Sequence, residues 1–203
     1  MSALKKHILN LTENSLGKPS RSEAESAVRT LIAWAGDDPC REGLLDTPQR
    51  GVKAFNEWFA GYTQNAGYIL SRVFEDVSGY DDMVVLRSID VKSHCEHHMA
   101  PFIGCAHIAY LPSEGVVGIS KIARLVDMFA KRLQTQENLT AQIASAIDTH
   151  LKSHGRAVMV EAVHQCMTIR GVNHPNVSTI TTKFTGKFGA DTNLQSKFLS
   201  LIS

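Results

Sequence analysis

Residues 120–151 read SKIARLVDMFAKRLQTQENLTAQIASAIDTHL, and this stretch decides the fold because it carries two amphipathic helices in succession. Ser120 and Thr135 are candidate N-caps for the two helices. The apolar faces are Ile122, Leu125, Val126 and Phe129 in the first helix and Leu139, Ile143, Ala146, Ile147 and Leu151 in the second. Gly155 is expected to end the second helix. The pattern predicts two neighbouring helices that each bury one face.

Strand-like segments flank this helical pair on both sides. Residues 83–91 (MVVLRSIDV) are rich in β-branched side chains, and residues 105–111 (CAHIAYL) form a short apolar run before Pro112. Residues 157–164 and 177–184 have the same character after the helices. The order ββααββ predicts an α+β domain, with an antiparallel sheet covered on one face by the two helices.

The first third of the chain is predicted to be helical. Ser22 and Glu25 have the spacing of a capping box, and Thr47-Pro48 is typical of an N-cap followed by a first-turn proline. No internal repeat and no Pro/Gly/Ser-rich linker is evident. These patterns predict an N-terminal helical region, residues 1–81, followed by the α+β domain, residues 82–203.

Composition excludes several classes of function. Apolar residues make up 43% and charged residues 20% of the chain, as in ordinary globular proteins. A formal net charge of +1 gives no global attraction to nucleic acid or to a membrane surface, so we expect neither partner. No apolar run approaches the roughly 18–20 residues that span a bilayer, and residues 1–17 lack the order of a signal peptide. We therefore expect a cytoplasmic protein.

The densest chemistry lies in Cys95-Glu96-His97-His98. Cys95 and His98 have a spacing at which a tight turn can direct sulfur and imidazole at one ion. The other segment that combines both ligand types is His164-Gln165-Cys166. Two thiolates and one imidazole favour zinc over magnesium or calcium, and three protein ligands leave a position for water, as in catalytic zinc sites. Spacing alone leaves open whether the two segments meet.

His97 and His164 are the candidates for acid–base chemistry. Each lies beside a proposed ligand, and histidine titrates near neutral pH. Residues i and i+2 of a strand share one face. A strand that continues to Cys166 would therefore place His164 and Cys166 in the same cavity.

Four sequence blocks resemble the GTP cyclohydrolase I family, within a stretch from about Leu31 to Phe188. They are TPQR (47–50), SHCEHHMAPFIG (93–104), GISKIARLVDMFAKRLQTQENLT (118–140) and VHQCMTIRGV (163–172). The resemblance implies the tunnelling fold, whose ββααββ unit agrees with the order given above, and makes residues 82–203 the catalytic domain. It also implies a ring-shaped homodecamer whose active sites lie at subunit junctions.

The activity that the resemblance implies is hydrolysis of GTP to 7,8-dihydroneopterin triphosphate and formate, through zinc-dependent opening of the purine imidazole ring. This is the first step of pterin and tetrahydrofolate biosynthesis. By position, the zinc ligands are Cys95, His98 and Cys166, and the histidines that move protons are His97 and His164. The substrate-binding residues are Glu137 at the guanine edge, Ser120 in the substrate-contacting GISK stretch, Lys121, Arg124 and Arg170 at the triphosphate, and Arg50 and Lys53 from a neighbouring subunit.

The chain departs from the family pattern at His94, where a hydrophobic or small polar residue is usual, and at Asn138, where arginine is frequent. Two alternatives from other classes remain open. One is a non-catalytic zinc module, in which His97 or His164 supplies a fourth ligand. The other is a different tunnelling-fold enzyme, such as a deazaguanine nitrile reductase, which needs a nucleophilic cysteine and a nicotinamide cofactor. Turnover of GTP to a pterin discriminates the cyclohydrolase from the non-catalytic zinc module.

Overall fold

The structure is a computed structural model that describes residues 17–71, 73–74, 80–113 and 115–203. It forms two compact units, of which the first ends at Glu57 and the second spans Trp58–Ser203. The predicted boundary between residues 81 and 82 stays a prediction. The predictions for residues 1–16, a helical region without a signal peptide, lie outside the described residues. Within the described ranges, no helix has both the length and the apolar composition that crossing a bilayer requires.

The first unit is helical, as predicted. It contains α1 (Arg21–Trp34), a 3-10 turn (Glu42–Leu44) and α2 (Thr47–Trp58), whose last residue opens the second unit. The capping box is formed by Ser20 and Glu23: the Ser20 hydroxyl accepts from the Glu23 N–H at 3.3 Å, and the Glu23 carboxylate accepts from the Ser20 N–H at 2.8 Å. The prediction at Ser22 was wrong by two residues because the sequence repeats the same Ser-x-x-Glu spacing.

The second unit carries the sheet and its covering helices. Its elements are α3 (Ala66–Leu70), β1 (Val73–Phe74), β2 (Val84–Cys95), β3 (Pro101–Leu111), β4 (Val116–Val117), α4 (Ile119–Ala130), β5 (Leu133–Gln134), α5 (Gln136–Leu151), β6 (Gly155–His164), α6 (Gln165–Thr168), β7 (Ser178–Gly186), α7 (Lys187–Ala190) and α8 (Thr192–Ile202). The four long strands and the two long helices have the predicted order ββααββ. The α+β class is therefore confirmed.

The five-stranded sheet has the order β5-β2-β3-β6-β7. The four long strands pair antiparallel, as predicted, and they place Phe102 of β3 opposite His164 of β6. Short β5 runs parallel to the end of β2, pairing Leu133 with His94 and Gln134 with Cys95. The sheet is therefore mixed at one edge, and that edge is where the Cys-x-x-His segment begins.

The main hydrophobic core lies between the sheet and the helical pair α4–α5. Its fully buried side chains include Val91, Phe102, Ile108, Ile122, Leu125, Leu139, Ile143, Ile147, Val158 and Val160. A smaller cluster on the other side of the sheet contains Ala109, Phe188 and Phe198, so α8 covers part of that face. Each strand therefore has a helix-facing side and a second side that is only partly covered.

The ends of the two long helices correct two predictions. Thr135 caps α5, because its hydroxyl accepts from the Asn138 N–H at 3.2 Å. Helix α4 begins two residues earlier than predicted, with Gly118 instead of Ser120 as N-cap, so Ser120 lies inside the first turn. Helix α5 ends at Leu151, followed by Lys152 in the left-handed region (φ 49°), and Gly155 opens β6 instead of ending the helix.

Candidate functional site

The loop between β2 and β3 presents the Cys-x-x-His segment. The Cys95 N–H donates to the Ala100 carbonyl at 2.8 Å, and the Met99 N–H donates to the Cys95 carbonyl at 2.8 Å. The Glu96 N–H donates to the Gln134 carbonyl at 3.0 Å, which ties the loop to β5. Met99 has a φ of 56°, a left-handed conformation that costs non-glycine residues about 1–3 kcal/mol. These bonds hold the loop in one tight turn.

Cys95, His98 and Cys166, the metal-ligand cluster, come together in the structure. One potential ligand atom of each residue lies within 4.8 Å of the other two. Cys95 is buried, Cys166 is half-buried and His98 is exposed. They meet because β6 neighbours β3, so the segment after β6 and the loop before β3 lie at the same end of the sheet. Among the described residues this is the one group of three or more such side chains with metal-site spacing.

The strand does not continue to Cys166, which was the condition for His164 and Cys166 to share one strand face. The strand stops at His164, and Cys166 lies in the helical turn α6. The rule that residues i and i+2 of a strand share a face therefore does not apply between His164 and Cys166. The turn, together with the strand pairing, brings the Cys166 sulfur to Cys95.

The donor set fits zinc. In a tetrahedral zinc site with sulfur ligands at about 2.3 Å, neighbouring ligand atoms are about 3.8 Å apart, and the three potential ligand atoms here lie within 4.8 Å of one another. Burial raises the pKa of the Cys166 thiol, and the adjacent Cys95 thiol raises it further. A divalent cation offsets both effects, because it stabilises thiolates that would otherwise repel each other.

His97 lies beside the metal-ligand cluster without being one of its members. Its Nδ1 is 3.7 Å from Cys95 Sγ, and its Nε2 is 3.9 Å from a carboxylate oxygen of Glu96. The His97 side chain is 65% exposed. A histidine in this position can reach both a molecule bound at the cluster and solvent, as exchange of a proton requires.

His164 has a more enclosed environment. Its ring stacks on Phe102 with centroids 4.6 Å apart, and its Nε2 lies 2.8 Å from Gln136 Oε1. Burial lowers the pKa of His164, while the Glu137 carboxylate raises it. Because burial has the larger effect, the pKa of His164 lies below the usual value for histidine. Sequence reasoning missed Gln136; its position directly before Glu137 in a long matching block was the signal available.

Glu137 and Arg170 lie close to this centre. The charge of Arg170 lowers the pKa of Cys166, as the charge of Glu137 raises that of His164, and both effects require proximity. Glu137 also lines a cavity of about 180 Å³ with Thr140 and Thr181. Glu137 on α5 thus lies near His164, and Arg170, in the segment after α6, lies near Cys166.

The GISK residues lie on the first turns of α4. Ser120 and Arg124 are exposed and Lys121 is half-buried. Arg124 lines a cavity of about 440 Å³ with Asn65 and Tyr68 of the segment around α3. The described contacts do not join these α4 residues to the metal-ligand cluster, so their substrate roles stay predictions.

Arg50 and Lys53 belong to the first unit. They line a cavity of about 270 Å³ together with Arg21, which the sequence did not indicate as a site residue. We refer to Arg21, Arg50 and Lys53 as the first-unit cations. Arg21 pairs with Glu25 at 2.8 Å and Arg50 with Asp46 at 3.0 Å. These pairs are at the surface, where an ion pair contributes only about 0–1 kcal/mol, so a phosphate can replace the carboxylates.

His94, the departure beside the cysteine, packs between aromatic rings. Its ring centroid lies 5.1 Å from that of Trp58 and 5.2 Å from that of Phe59. Burial lowers its pKa, which keeps the ring neutral near pH 7. His94 therefore packs apart from the metal-ligand cluster, because it precedes Cys95 on a strand and adjacent strand residues point to opposite faces.

Comparison with known proteins extends the resemblance over almost the whole chain. The sequence model of a family described as GTP cyclohydrolase I matches residues 24–203, further in both directions than the four blocks. A protein of Maricaulis maris named GTP cyclohydrolase 1 is 65% identical over 185 residues, which are 91% of this chain and 90% of the relative. A protein of Hyphomonas neptunium with the same name is 63% identical over 188 residues, 93% and 91% of the two chains.

A solved structure titled as an archaeosine synthase, QueF-Like, in the apo form is also similar. It is 16% identical, covers 53% of this chain and 96% of its own, and has a TM-score of 0.43. That score is too low for the similarity to support an argument about fold or function.

Proposed function

The chain belongs to the GTP cyclohydrolase I family, and from that premise we propose that it converts GTP and water to 7,8-dihydroneopterin triphosphate and formate. The observation that carries this proposal is the metal-ligand cluster, with two histidines that are free to act as proton carriers beside it. The reaction is the first step of pterin and tetrahydrofolate synthesis. A cytoplasmic location agrees with this role, because free thiol ligands need a reducing compartment.

We propose that Cys95, His98 and Cys166 hold one zinc ion. An ion held by these three residues would supply Lewis-acid activation of the water that opens the purine imidazole ring at C8. The loop hydrogen bonds at Cys95 keep two of the ligands in place before the metal binds. The three ligands leave His97 and His164 outside the coordination shell.

The two histidines divide the proton transfers according to their environments. His164 is enclosed and has a lowered pKa, so it is neutral near pH 7 and can accept a proton. His97 is exposed and can exchange protons with solvent. Opening of the imidazole ring requires a proton at the departing nitrogen, and either histidine in its charged form can donate one.

Glu137 is proposed to bind the guanine edge, which presents two N–H donors that a carboxylate accepts. Its exposure at the start of α5 leaves it available for this contact, with Ser120 of α4 as a further polar partner. Lys121, Arg124 and Arg170 are proposed to hold the triphosphate, joined by Arg50 and Lys53. Five cations suit a ligand that carries about four negative charges.

We also propose a homodecamer with active sites shared between subunits. Among the described residues, β7 pairs with β6 alone, and β2 carries β5 only at its last two residues. Both outer strands therefore present open backbone, and exposed edges of this kind are normally covered. Ile103 and Ile180, on the less covered side of the sheet, are 49% and 55% exposed. If the two sheet edges of one chain pair with those of neighbouring copies, the chains can close into a ring. The family resemblance implies ten chains in that ring.

The test is a stoichiometric assay on zinc-loaded protein. Incubation with GTP should release formate and generate the ultraviolet absorbance and fluorescence of a pterin in equal molar amounts. Removal of zinc by a chelator should stop both, and re-addition should restore them. Zinc-loaded protein that binds metal but yields neither product would support the non-catalytic zinc module instead.

A further inference from the structure

Gln136 has a single possible orientation in this structure. It is the first residue of α5 and is 1% exposed. Its Nε2 donates to the carbonyl oxygens of Val160 at 2.9 Å and Thr179 at 2.8 Å. A carbonyl oxygen can only accept, so the amide nitrogen must face the strands and Oε1 must face His164. The orientation of this side chain is therefore decided by the backbone of β6 and β7.

Two threonines reinforce this orientation. The Thr140 hydroxyl donates its hydrogen to the backbone carbonyl oxygen of Gln136 at 2.8 Å, so it has no hydrogen left for another acceptor. Thr140 Oγ1 lies 2.6 Å from Thr181 Oγ1, and Thr181 must therefore be the donor in that pair. This leaves the Thr181 oxygen to accept from Gln136 Nε2 at 3.2 Å. The amide nitrogen has two hydrogens and three acceptors, so the longer contact to Thr181 shares a hydrogen with one of the carbonyls. Every donor in the network then has an acceptor, which is the condition under which a buried polar network is rigid.

The network determines which nitrogen of His164 carries the hydrogen. Gln136 Oε1 has no hydrogen to donate, and it lies 2.8 Å from His164 Nε2. Nε2 must then be the donor, and in the neutral ring Nδ1 holds the lone pair. The Phe102 ring, stacked at 4.6 Å, restrains the plane of the imidazole.

We propose that Gln136, held by Thr140 and Thr181, is a positioning residue that keeps His164 in the Nε2–H tautomer and leaves Nδ1 as the nitrogen that exchanges the proton with the substrate. The chemical part of this inference rests on the proposed function; the tautomer does not. Without Gln136 the ring could rotate or change tautomer, and the basic nitrogen would no longer have a fixed direction.

The tautomer can be observed directly by neutron diffraction from perdeuterated crystals of the full-length, zinc-loaded protein. We expect a deuteron on His164 Nε2, directed at Gln136. Absence of a deuteron from Nε2 would overturn the proposal. This measurement does not depend on turnover, so it tests the inference even if the protein does not process GTP.

The kinetic test uses matched substitutions on β7. Thr181→Val removes the hydroxyl that holds Gln136, and Thr181→Ser keeps it. Thr185→Val is the control, because Thr185 lies on the same side of the same strand and its buried hydroxyl has no hydrogen-bond partner among the described residues. Because the carbonyls of Val160 and Thr179 still hold the amide, we expect Thr181→Val to lower kcat by less than Gln136→Met does, with little change in KM for GTP, whereas Thr181→Ser and Thr185→Val stay near the parent.

Gln136→Met preserves the volume of the side chain but removes its acceptor. Its kcat should fall by about 10- to 100-fold at unchanged zinc content, the range found when an outer partner of a site is lost. The melting temperature and zinc content of each variant are measured alongside. A Gln136→Met protein that is less stable but has the kcat of the parent would show that the network is only structural and would overturn the positioning role.

Discussion

The metal-ligand cluster and the first-unit cations differ in how much of their environment a single chain supplies. Cys95 is buried and its backbone is hydrogen-bonded on both sides of the loop. The Arg50 side chain is 74% exposed, and its partner Asp46 is 66% exposed. The cluster is organised before any ligand binds, whereas the cations are solvated and hold only surface ion pairs.

This difference indicates which of the two groups of residues a single chain can form without contributions from other chains. Two ligands on a hydrogen-bonded loop and one on the helical turn α6 need only an ion to complete the site. Solvated cations bind an anion weakly until burial or further charges strengthen the interaction. Substitutions in the cluster should therefore have large effects, and substitutions among the first-unit cations should have smaller ones that depend on assembly.

The largest effect is expected for Cys166→Ser. Loss of one of three ligands leaves a two-point chelate, so zinc affinity should fall by at least about 100-fold, more than the roughly 10- to 100-fold caused by loss of an outer partner. Formate release should fall in parallel, and elemental analysis measures the zinc. The control is Cys105→Ser, because Cys105 lies outside the metal-ligand cluster although its sulfur is 3.3 Å from His107 Nε2.

A second comparison separates ligands from proton carriers. His97→Ala and His164→Ala should keep their zinc while product formation falls by about 100- to 10,000-fold, the contribution typical of general acid–base catalysis. If either variant lost the metal as Cys166→Ser does, that histidine would belong to the coordination shell, as in the non-catalytic alternative.

An intermediate effect is expected for Arg170, which lies close enough to Cys166 to affect its pKa. If Arg170 binds the triphosphate, Arg170→Ala should lower kcat/KM for GTP by about 10- to 100-fold, equivalent to the roughly 1.5–3 kcal/mol of a charge-assisted contact. Turnover of guanosine, which is expected to be slow, should barely change. Glu137→Ala should impair both substrates, because both present the same guanine edge. Equal damage to GTP and guanosine by Arg170→Ala would mean that Arg170 supports the fold or the metal site.

The smallest effect is expected for the first-unit cations, and its measurement tests whether they act in the site of a neighbouring subunit. Arg50→Ala with Lys53→Ala in one chain should raise KM for GTP by about 10-fold, because exposed contacts contribute less than enclosed ones. At GTP concentrations well below KM, mixing this protein with Cys166→Ser chains, after dissociation and reassembly, should raise the activity to about a quarter of that of the parent if sites are shared at random between subunits. Light scattering should show about ten chains; no recovery in assembled mixed material would contradict shared sites.

Local patterns predicted the elements well where burial is periodic. The four long strands and both long helices were placed correctly, although β2 and β3 extend further towards the site than predicted. The errors lie at helix ends: Ser22 and Ser120 have the residue type of a cap, but Ser20 and Gly118 occupy the cap positions. Several adjacent residues satisfy the same capping preference, and packing of the helix selects among them.

Elements without a strong period were missed. Sequence analysis gave no prediction for β5 or for α8, although β5 forms the parallel pair with Cys95 and α8 covers part of the outer sheet face. A two-residue strand has too few residues to show alternation, and its existence depends on a partner that is distant in sequence.

The sequence by itself determined the chemistry of this protein: two thiols and an imidazole in C-x-x-H and H-x-C segments, the neighbouring histidines, and the cations of the GISK and TPQR stretches. Residue type fixes what a side chain can bind, and spacing within one turn fixes which neighbours act together. Tertiary structure alone decided that Cys166 meets Cys95 and that Gln136 faces His164. Those contacts join residues 71 and 28 positions apart, and only the pairing of β3 with β6 and the packing of α5 on the sheet bring them together.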